Sequence, residues 1–334
     1  MDESTILDTK VLQRNPFPGV RPFTGAEDKN FFGREESVRA VRDLLLENRF
    51  VTLVGASGAG KTSLIQSGII PSLLAEDKQE WVPITVRPGR QPVVNLLKEF
   101  QRVFPKKFSD QDVDAFLSGD GTLADWIHEM GLGSHRYLIS VDQFEEIFRI
   151  EPAGKKGGKN QEASRLVNLL LHAIASDLVG VHVVLSIRSD FIDACSTFRS
   201  LTEQMNRSKY LLPPMSEEAL SRAITGPVRL AGASVEDGFV ETVLDDLEKV
   251  EDRLPLLQHA LVRTWNHWAH RKRNDEPVSL VDYKAVGSVR NALSGHLNEI
   301  YESLDRRQKV ICERLFKSIT AKGEEQNGFR KLAT

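Results

Sequence analysis

The sequence contains few cysteines: of its 334 residues, only Cys195 and Cys312 carry a thiol. Two cysteines are too few for a disulfide framework, and neither lies in a spacing typical of metal ligands. The sequence also has no apolar run near the roughly 18 residues of a membrane span, and its acidic N-terminus lacks the basic and then apolar order of a signal peptide. We therefore expect a cytoplasmic protein without a membrane partner.

An excess of charge of either sign is also absent. The 44 basic and 47 acidic residues give a formal net charge of −3. This balance provides no overall attraction to the phosphates of nucleic acid or of an anionic membrane, so we do not expect nucleic acid as a main partner. The length exceeds one average domain and the apolar content is 40%. Two or three compact units with substantial cores are expected.

The most informative segment is a glycine-rich octapeptide. Residues 55–62 read GASGAGKT and match the pattern G-x-x-x-x-G-K-[ST] at every fixed position. Residues 50–54 before it form an apolar, β-branched run typical of a buried parallel strand, and residues 63–74 after it carry apolar residues at helical spacing. Strand, loop and helix together predict a phosphate-binding loop for a nucleoside triphosphate.

In such a loop, the glycines let the backbone curve so that successive amides and the positive end of the next helix face the phosphates. Lys61 would reach the β and γ phosphates as a point charge, and the Thr62 hydroxyl would bind Mg²⁺. The residues predicted to bind the nucleotide here are Gly55, Ala56, Ser57, Gly58, Ala59, Gly60, Lys61, Thr62 and Ser63.

The octapeptide belongs to a longer alternation of apolar runs and helical patterns, which predicts a parallel sheet covered on both faces. The candidate strands are residues 51–54, 81–86, 137–141, 181–187 and 209–212. Beyond Pro213 and Pro214 the strand pattern stops, and the remaining segments show helical patterns. Residues 1–30 are rich in proline and glycine and predict an irregular leader.

Three acids follow the third candidate strand. Asp142 comes directly after it, and ligands of open α/β sheets lie beyond the carboxyl ends of the strands, so Asp142 is predicted to face the Mg²⁺ beside Thr62. Glu145 and Glu146 are candidates to orient or deprotonate the attacking water. The spacing does not distinguish between them. In the alternative interpretation, both glutamates simply open a helix, where the helix dipole favours them.

A basic residue ends the fourth candidate strand. Arg188 is placed to contact the γ phosphate and so to report its presence. The alternative is an ion pair with Asp190 or Asp193 that closes the end of the strand. Both interpretations remain open from the sequence.

Seven segments stand in the order in which they occur in the novel STAND NTPases. They are residues 15–23 (NPFPGVRPF), 32–35 (FGRE), the phosphate loop, 81–89, 141–146 (VDQFEE), 187–191 (IRSDF) and 254–258 (LPLLQ). From about residue 15 to its end, the chain resembles this family of signal-transducing ATPases, which is related to the NACHT and NB-ARC switches.

The resemblance implies ATP or ADP and Mg²⁺ as ligands, and three further site residues. Gly33 and Arg34 would belong to the adenine-side motif, with Phe17 or Phe31 near the base; alternatively, these aromatics form a hydrophobic staple on the following helix. Pro255 would contact the nucleotide from the helical domain. Arg253 stands where such motifs usually carry a glycine, and Pro255 could instead simply start its helix.

The predicted fold class is α/β: a P-loop NTPase with a parallel sheet of strand order 5-1-4-3-2, followed by a helical domain and the start of a winged-helix domain. The predicted divisions are an irregular leader at 1–30, the NTPase domain at 31–213 and a helical lid at 214–278. Residues 279–334 would form a helical linker and a partial winged-helix domain, as the resemblance implies.

As a member of such a family, the chain is expected to be a slowly hydrolysing ATPase that couples its nucleotide state to oligomerisation and effector activation, in microbial signalling or antiviral defence. Effector and sensor modules would reside in missing segments or in other chains. Two alternatives remain open: a DNA-associated ATPase like the origin-recognition initiators, and a nucleotide-dependent scaffold with negligible turnover.

Overall fold

A computed structural model describes residues 15–76, 81–119, 121–149, 158–250, 253–271 and 276–319. The first 14 residues of the predicted leader and the last 15 residues (320–334) of the predicted helical linker and partial winged-helix domain lie outside the described residues. Within the described residues, no helix is both long and apolar enough to cross a membrane.

Five parallel strands form the central sheet: β1 (Phe50–Gly55), β2 (Trp81–Val86), β3 (Arg136–Val141), β4 (Gly180–Arg188) and β5 (Lys209–Leu211). Their spatial order is β2-β3-β4-β1-β5. This is the predicted order 5-1-4-3-2 read from the opposite edge, so the topology prediction is confirmed. β1 therefore lies next to β4, and their carboxyl ends, Gly55 and Arg188, are paired in register.

Helices surround the sheet and continue beyond it. They are α1 (Glu35–Asn48), α2 (the consecutive segments Lys61–Ser63, Leu64–Ile69 and Ile70–Glu76), α3 (Pro92–Val103), α4 (Asp110–Ser118), α5 (Leu123–Glu129), α6 (Glu146–Arg149), α7 (Gly158–Ala175), α8 (Arg199–Arg207), α9 (Glu217–Leu230), α10 (Phe239–Leu247), α11 (Arg253–His270), α12 (Leu280–Ala285), α13 (Ser288–Ser303) and α14 (Arg306–Ile319). Short 3₁₀ helices occur at Gly25–Asn30, Ser189–Phe191 and Asp193–Thr197.

The two faces of the sheet carry separate cores because successive strand side chains point to opposite faces. Along β1, Phe50 and Val54 pack into one apolar cluster with α3, α5 and α7. Val51 and Leu53 pack into the other, with α1 and α2. All six residues of β1 are buried, so the strand that leads into the phosphate loop is held from both sides.

A third apolar cluster forms the core of the helical part. It contains Trp265 and Trp268 of α11 and Tyr283 of α12. Phe17 from the N-terminal segment is buried in the same cluster. Ser216 accepts a hydrogen bond from the amide of Ala219 and so caps α9 at its start. The predicted domain boundaries remain a prediction.

Candidate nucleotide-binding site

The glycine-rich octapeptide forms the turn between β1 and α2. Gly58 and Gly60 adopt φ values of +73° and +89°, a left-handed conformation that residues with a Cβ rarely adopt. Lys61 is buried, and its Nζ donates to the carbonyl oxygens of Gly55 at 2.7 Å and Ala56 at 2.8 Å. Burial lowers the pKa of Lys61, and the Glu145 carboxylate partly opposes this. The ammonium is thus held at the loop by main-chain acceptors.

Thr62 and Asp142 meet at the start of α2. The Thr62 hydroxyl donates to Asp142 Oδ1 at 2.9 Å, and the Ser186 hydroxyl donates to the same oxygen at 3.0 Å. Asp142 is buried, and its amide donates to the Val86 carbonyl at 2.8 Å, which extends the β3 ladder by one residue. The sheet register therefore places three oxygen-bearing side chains from α2, β3 and β4 together.

This donor set fits Mg²⁺, a hard cation that proteins bind through one or two carboxylates together with water and substrate phosphates. Thr62 and Asp142 supply a hydroxyl and a carboxylate at one point beside the phosphate loop. Within the described part of the chain, no cluster of three or more His, Cys, Asp or Glu side chains offers an all-protein metal cage. The arrangement suits an ion whose coordination shell is completed by phosphate oxygens.

The two candidate glutamates have different surroundings. Glu145 is buried, and its Oε2 accepts the Arg188 amide at 3.3 Å. Glu146 is only half-buried, and its Oε2 accepts the Gly89 amide at 3.0 Å. The carboxylate of Glu145 interacts electrostatically with Lys61. Glu145 is therefore the more enclosed of the two and the one that interacts with Lys61, a distinction that spacing alone did not make.

Arg188 lines the cavity described below, and its guanidinium is hydrogen-bonded to Asp190. Its Nε donates to Asp190 Oδ1 at 3.0 Å and its Nη2 to Asp190 Oδ2 at 2.7 Å. The guanidinium also lies 5.8 Å from the centre of the Phe191 ring. The ion pair with Asp190 that the sequence offered as the alternative is present here. A sensor role for Arg188 remains a prediction that requires this pair to open.

Gly33 and Arg34 join the NTPase part to the helical part. Arg34 is buried; its Nη1 donates to the Pro213 carbonyl at 2.7 Å and its Nη2 to the Ala59 carbonyl of the phosphate loop at 3.2 Å. Gly33 has φ +84° and packs against α9, where an added Cβ would lie 2.2 Å from the Ala219 carbonyl oxygen. Gly33 shapes this junction and does not line the cavity described below, nor do Gly55 and Ala56.

Gly33→Ala is expected to lower the free energy of unfolding by about 3 kcal/mol, because the new methyl group would need both a strained φ and a displaced backbone. Denaturant titration of the purified protein measures this. Gly295→Ala is the matched control: Gly295 lies in α13, and an added Cβ would meet no described atom within 4 Å. The control should gain up to about 1 kcal/mol. Equal stability of the two variants would contradict the tight junction at Gly33.

The helical part faces the phosphate loop through the start of α11. Pro255 lies in the first turn of this helix, two residues after its start at Arg253, and lines the cavity. Its neighbour Leu254 approaches the loop, with Cδ1 3.7 Å from the Cβ position of Gly60. α9, α10 and α11 are called the lid below.

Residues 15–24, called the strap below, run from the lid to the phosphate-loop helix. At one end, Asn15 Nδ2 donates to the Val262 carbonyl and to Asn266 Oδ1 of α11, both at 2.9 Å. At the other end, the Phe23 amide donates to the Ser63 hydroxyl of α2 at 3.2 Å. The strap thereby connects α11 of the lid to α2 after the phosphate loop.

A cavity of about 1690 Å³ lies between the phosphate loop, the strap and the lid. Its lining includes the predicted site residues Arg34, Ser57, Gly58, Ala59, Gly60, Lys61, Thr62, Ser63, Asp142, Glu145, Glu146, Arg188 and Pro255. Phe31 lines this cavity, whereas Phe17 is buried in the core of the helical part. We call this space the nucleotide cavity.

Several lining residues were missed by the sequence reasoning. Ser186 could have been found as a polar residue inside the apolar run of β4. Gln143 follows Asp142 with φ +56°, unusual for a residue with a side chain, and no sequence signal indicates it. Met215 and Gln258 face the cavity from the lid side and are brought there only by tertiary packing.

Comparisons with known proteins agree with this geometry. The sequence profile of a family described as Novel STAND NTPase 1 matches residues 16–334. No curated protein sequence matches the chain significantly. The Aeropyrum pernix ORC1 protein in complex with DNA is similar in structure, with a TM-score of 0.54 and 14% identity over 92% of this chain and 75% of that chain. The Aeropyrum pernix ORC2 protein in its ADP form gives 0.54 and 18% over 95% of this chain and 80% of that chain.

A further structure of Aeropyrum pernix ORC2, with ADPNP and ADP, has a TM-score of 0.52 and 15% identity over 78% of this chain and 67% of that chain. At these sequence identities, the structural similarity shows a shared fold and nothing further. Together with the family match, it confirms the predicted fold class: an α/β P-loop NTPase with a parallel sheet and a helical C-terminal region.

Proposed function

Because the chain belongs to the Novel STAND NTPase 1 family and is a P-loop NTPase, we propose that it is an ATP-operated switch that hydrolyses ATP slowly and changes its assembly with its nucleotide state. In this proposal ADP holds the lid on the NTPase part, ATP releases it, and the released form oligomerises and activates an effector. Microbial signalling or antiviral defence is the proposed setting, in the cytoplasm, with effector and sensor modules supplied by other segments or chains.

The observation that carries the proposal is that the two parts share one cavity. The phosphate loop lies on one wall and Pro255 of the lid on another. Arg34 donates both to the loop at Ala59 and to the linker at Pro213, where the chain enters the lid. A ligand that shifts the loop backbone would therefore act on the lid's attachment through one guanidinium. This is the coupling that a nucleotide-dependent switch requires.

The loop residues bind the phosphates in this proposal. The amides of residues 57–62 and the start of α2 face the anion, and Lys61 exchanges its hydrogen bonds to the Gly55 and Ala56 carbonyls for phosphate oxygens. Thr62 and Asp142 would hold Mg²⁺, which neutralises charge on the phosphates when it is bound. Ser186 fixes the Asp142 carboxylate by its hydrogen bond to Oδ1.

Glu145 is the proposed general base. Its buried carboxylate is held by the Arg188 amide, so its orientation is set by the end of β4. From there it would accept a proton from the water that attacks the γ phosphate. Arg188 shares its guanidinium with Asp190, and exchange of this partner for the γ phosphate is the proposed way in which the strand end senses ATP.

The mass of the protein in solution tests the switch. We expect a monomer with ADP and Mg²⁺, and a larger species with a non-hydrolysable ATP analogue, measured by light scattering on the full-length protein. Lys61→Ala is expected to remain monomeric with both ligands. The same mass in all conditions, with tight nucleotide retention and no phosphate release, would instead support a nucleotide-dependent scaffold.

A DNA-associated ATPase is the second candidate, and a surface feature favours it. The exposed residues Arg306, Arg307, Arg314 and Lys317 give α14 a basic surface. One structural neighbour is described as being in complex with DNA. Salt-dependent binding to duplex DNA by the purified chain would support this candidate, because phosphate contacts release counterions.

A further inference from the structure

The side chain of Gln258 in the lid carries an amide oxygen, Oε1, that has no hydrogen-bond donor among the described residues. It lies in α11 one turn after Leu254 and lines the nucleotide cavity. Its Oε1 atom is buried, and no group in the described ranges donates a hydrogen bond to it. Burial of an unpaired amide oxygen opposes folding, so its presence in an otherwise apolar stripe of the helix calls for a partner that the described residues do not supply.

The position of Gln258 along α11 indicates which part of a nucleotide it would meet. Leu254 lies near Gly60 of the phosphate loop, whereas Val262 lies 3.5 Å from the Cβ position of Gly19 in the strap. Residues four apart share one face of a helix, about 5–6 Å from each other. Gln258 therefore lies between the phosphate end of the cavity and the strap, where the nucleoside of a bound nucleotide would extend.

The surroundings of Gln258 suit a base. Val20 and Pro22 of the strap and Met215 and Leu257 on the lid side line the same cavity. Apolar side chains of this kind provide the flat contact that a purine needs, and they offer few competing hydrogen bonds.

We propose that Gln258 recognises adenine through its side-chain amide. The Oε1 atom accepts from the adenine N6 amino group while Nε2 donates to a neighbouring ring nitrogen, a pairing that glutamine makes with adenine and that guanine, with acceptors at both O6 and N7, does not match. The final side-chain torsion of glutamine is broad, so the amide turns toward the ligand at little cost. This inference rests on the proposed function, because it specifies the nucleotide that the switch reads.

The test compares Gln258→Met with the wild type for three probes: ATP, GTP and inorganic tripolyphosphate, each titrated calorimetrically with Mg²⁺. A well-formed bidentate pair with a base contributes between about 5-fold and about 150-fold in discrimination. We expect the variant to lose ATP affinity by a factor in this range, with GTP and tripolyphosphate affinities unchanged within twofold.

The melting temperature of the nucleotide-free protein provides an independent readout. Methionine removes the unpaired oxygen at similar volume, so Gln258→Met is expected to keep or raise the melting temperature while ATP binding weakens. If Gln258 had only a structural role, the substitution would instead lower the melting temperature. Gln91→Met is the control: Gln91 is exposed and lies outside the cavity lining, and neither readout should change.

Three outcomes overturn the inference. Unchanged ATP affinity in Gln258→Met would show that the amide makes no contact, and an equal loss for ATP and GTP would place the contact on the shared ribose. A lower melting temperature with all three ligands weakened equally would show a structural role. Failure of the wild type to bind either ATP or tripolyphosphate would remove the proposed function itself, and the wild-type titrations alone identify that result.

Discussion

Glu145→Gln is expected to slow ATP hydrolysis by about 10²–10⁴-fold, because the amide that replaces the carboxylate does not accept the proton of the attacking water. The affinity for ATP should stay within a few-fold, since in the proposed role Glu145 contacts the attacking water and does not hold the phosphates. The substitution preserves volume, and the side-chain oxygen still accepts the Arg188 amide. Single-turnover phosphate release, with nucleotide affinity measured separately, tests the expectation.

Glu146→Gln is the matched control. The Glu146 carboxylate accepts the Gly89 amide, and the amide oxygen of glutamine preserves that bond. Turnover in this variant should stay within about tenfold of the wild type, a smaller loss than general-base removal produces. The reverse order, with Glu146→Gln inactive and Glu145→Gln active, would transfer the role to Glu146. Full activity of the double variant would exclude both glutamates.

Lys61→Ala is expected to weaken ATP binding by at least about 10²-fold and to abolish turnover, because each charge-assisted hydrogen bond to a phosphate contributes about 1.5–3 kcal/mol. The ammonium is already located at the loop by the Gly55 and Ala56 carbonyls, so it needs little rearrangement to reach a phosphate. Isothermal titration with ATP and Mg²⁺ measures the loss.

The control for this substitution is Lys98→Ala, since Lys98 is exposed on α3 and lies outside the cavity lining. It should bind ATP as the wild type does. Loss of the Lys61 ammonium also removes a partly desolvated charge, so the nucleotide-free variant should remain folded by circular dichroism. Wild-type ATP affinity in a folded Lys61→Ala protein would overturn the assignment of the phosphate loop.

Much of the fold was predictable because its signals are local. The apolar run at β1, the glycines and lysine of the loop and the periodic pattern of α2 lie within a few tens of residues, and each follows from backbone and side-chain preferences. Asp142 was predictable too, since the carboxyl ends of parallel strands meet at one edge.

The contacts that distinguish similar residues were not predictable in this way. Glu145 and Glu146 are adjacent in sequence, yet one reaches Arg188 on β4 and the other Gly89 after β2. Arg188 pairs with Asp190, only two positions further along the chain. From the sequence, this ion pair was only one of two interpretations of Arg188.

By itself, the sequence determined the phosphate loop, the parallel sheet and the acid at the end of β3, because these depend on short-range patterns and on where ligands lie at such a sheet. The strand order and the family came from the resemblance that the seven segments carry. Only the tertiary structure decided which glutamate is buried against the end of β4, how the strap joins Val262 to Ser63, and that Gln258 lines the nucleotide cavity. Those features depend on packing between segments as many as 251 residues apart, as with Asn15 and Asn266, and side-chain packing across such distances is not encoded in any local pattern.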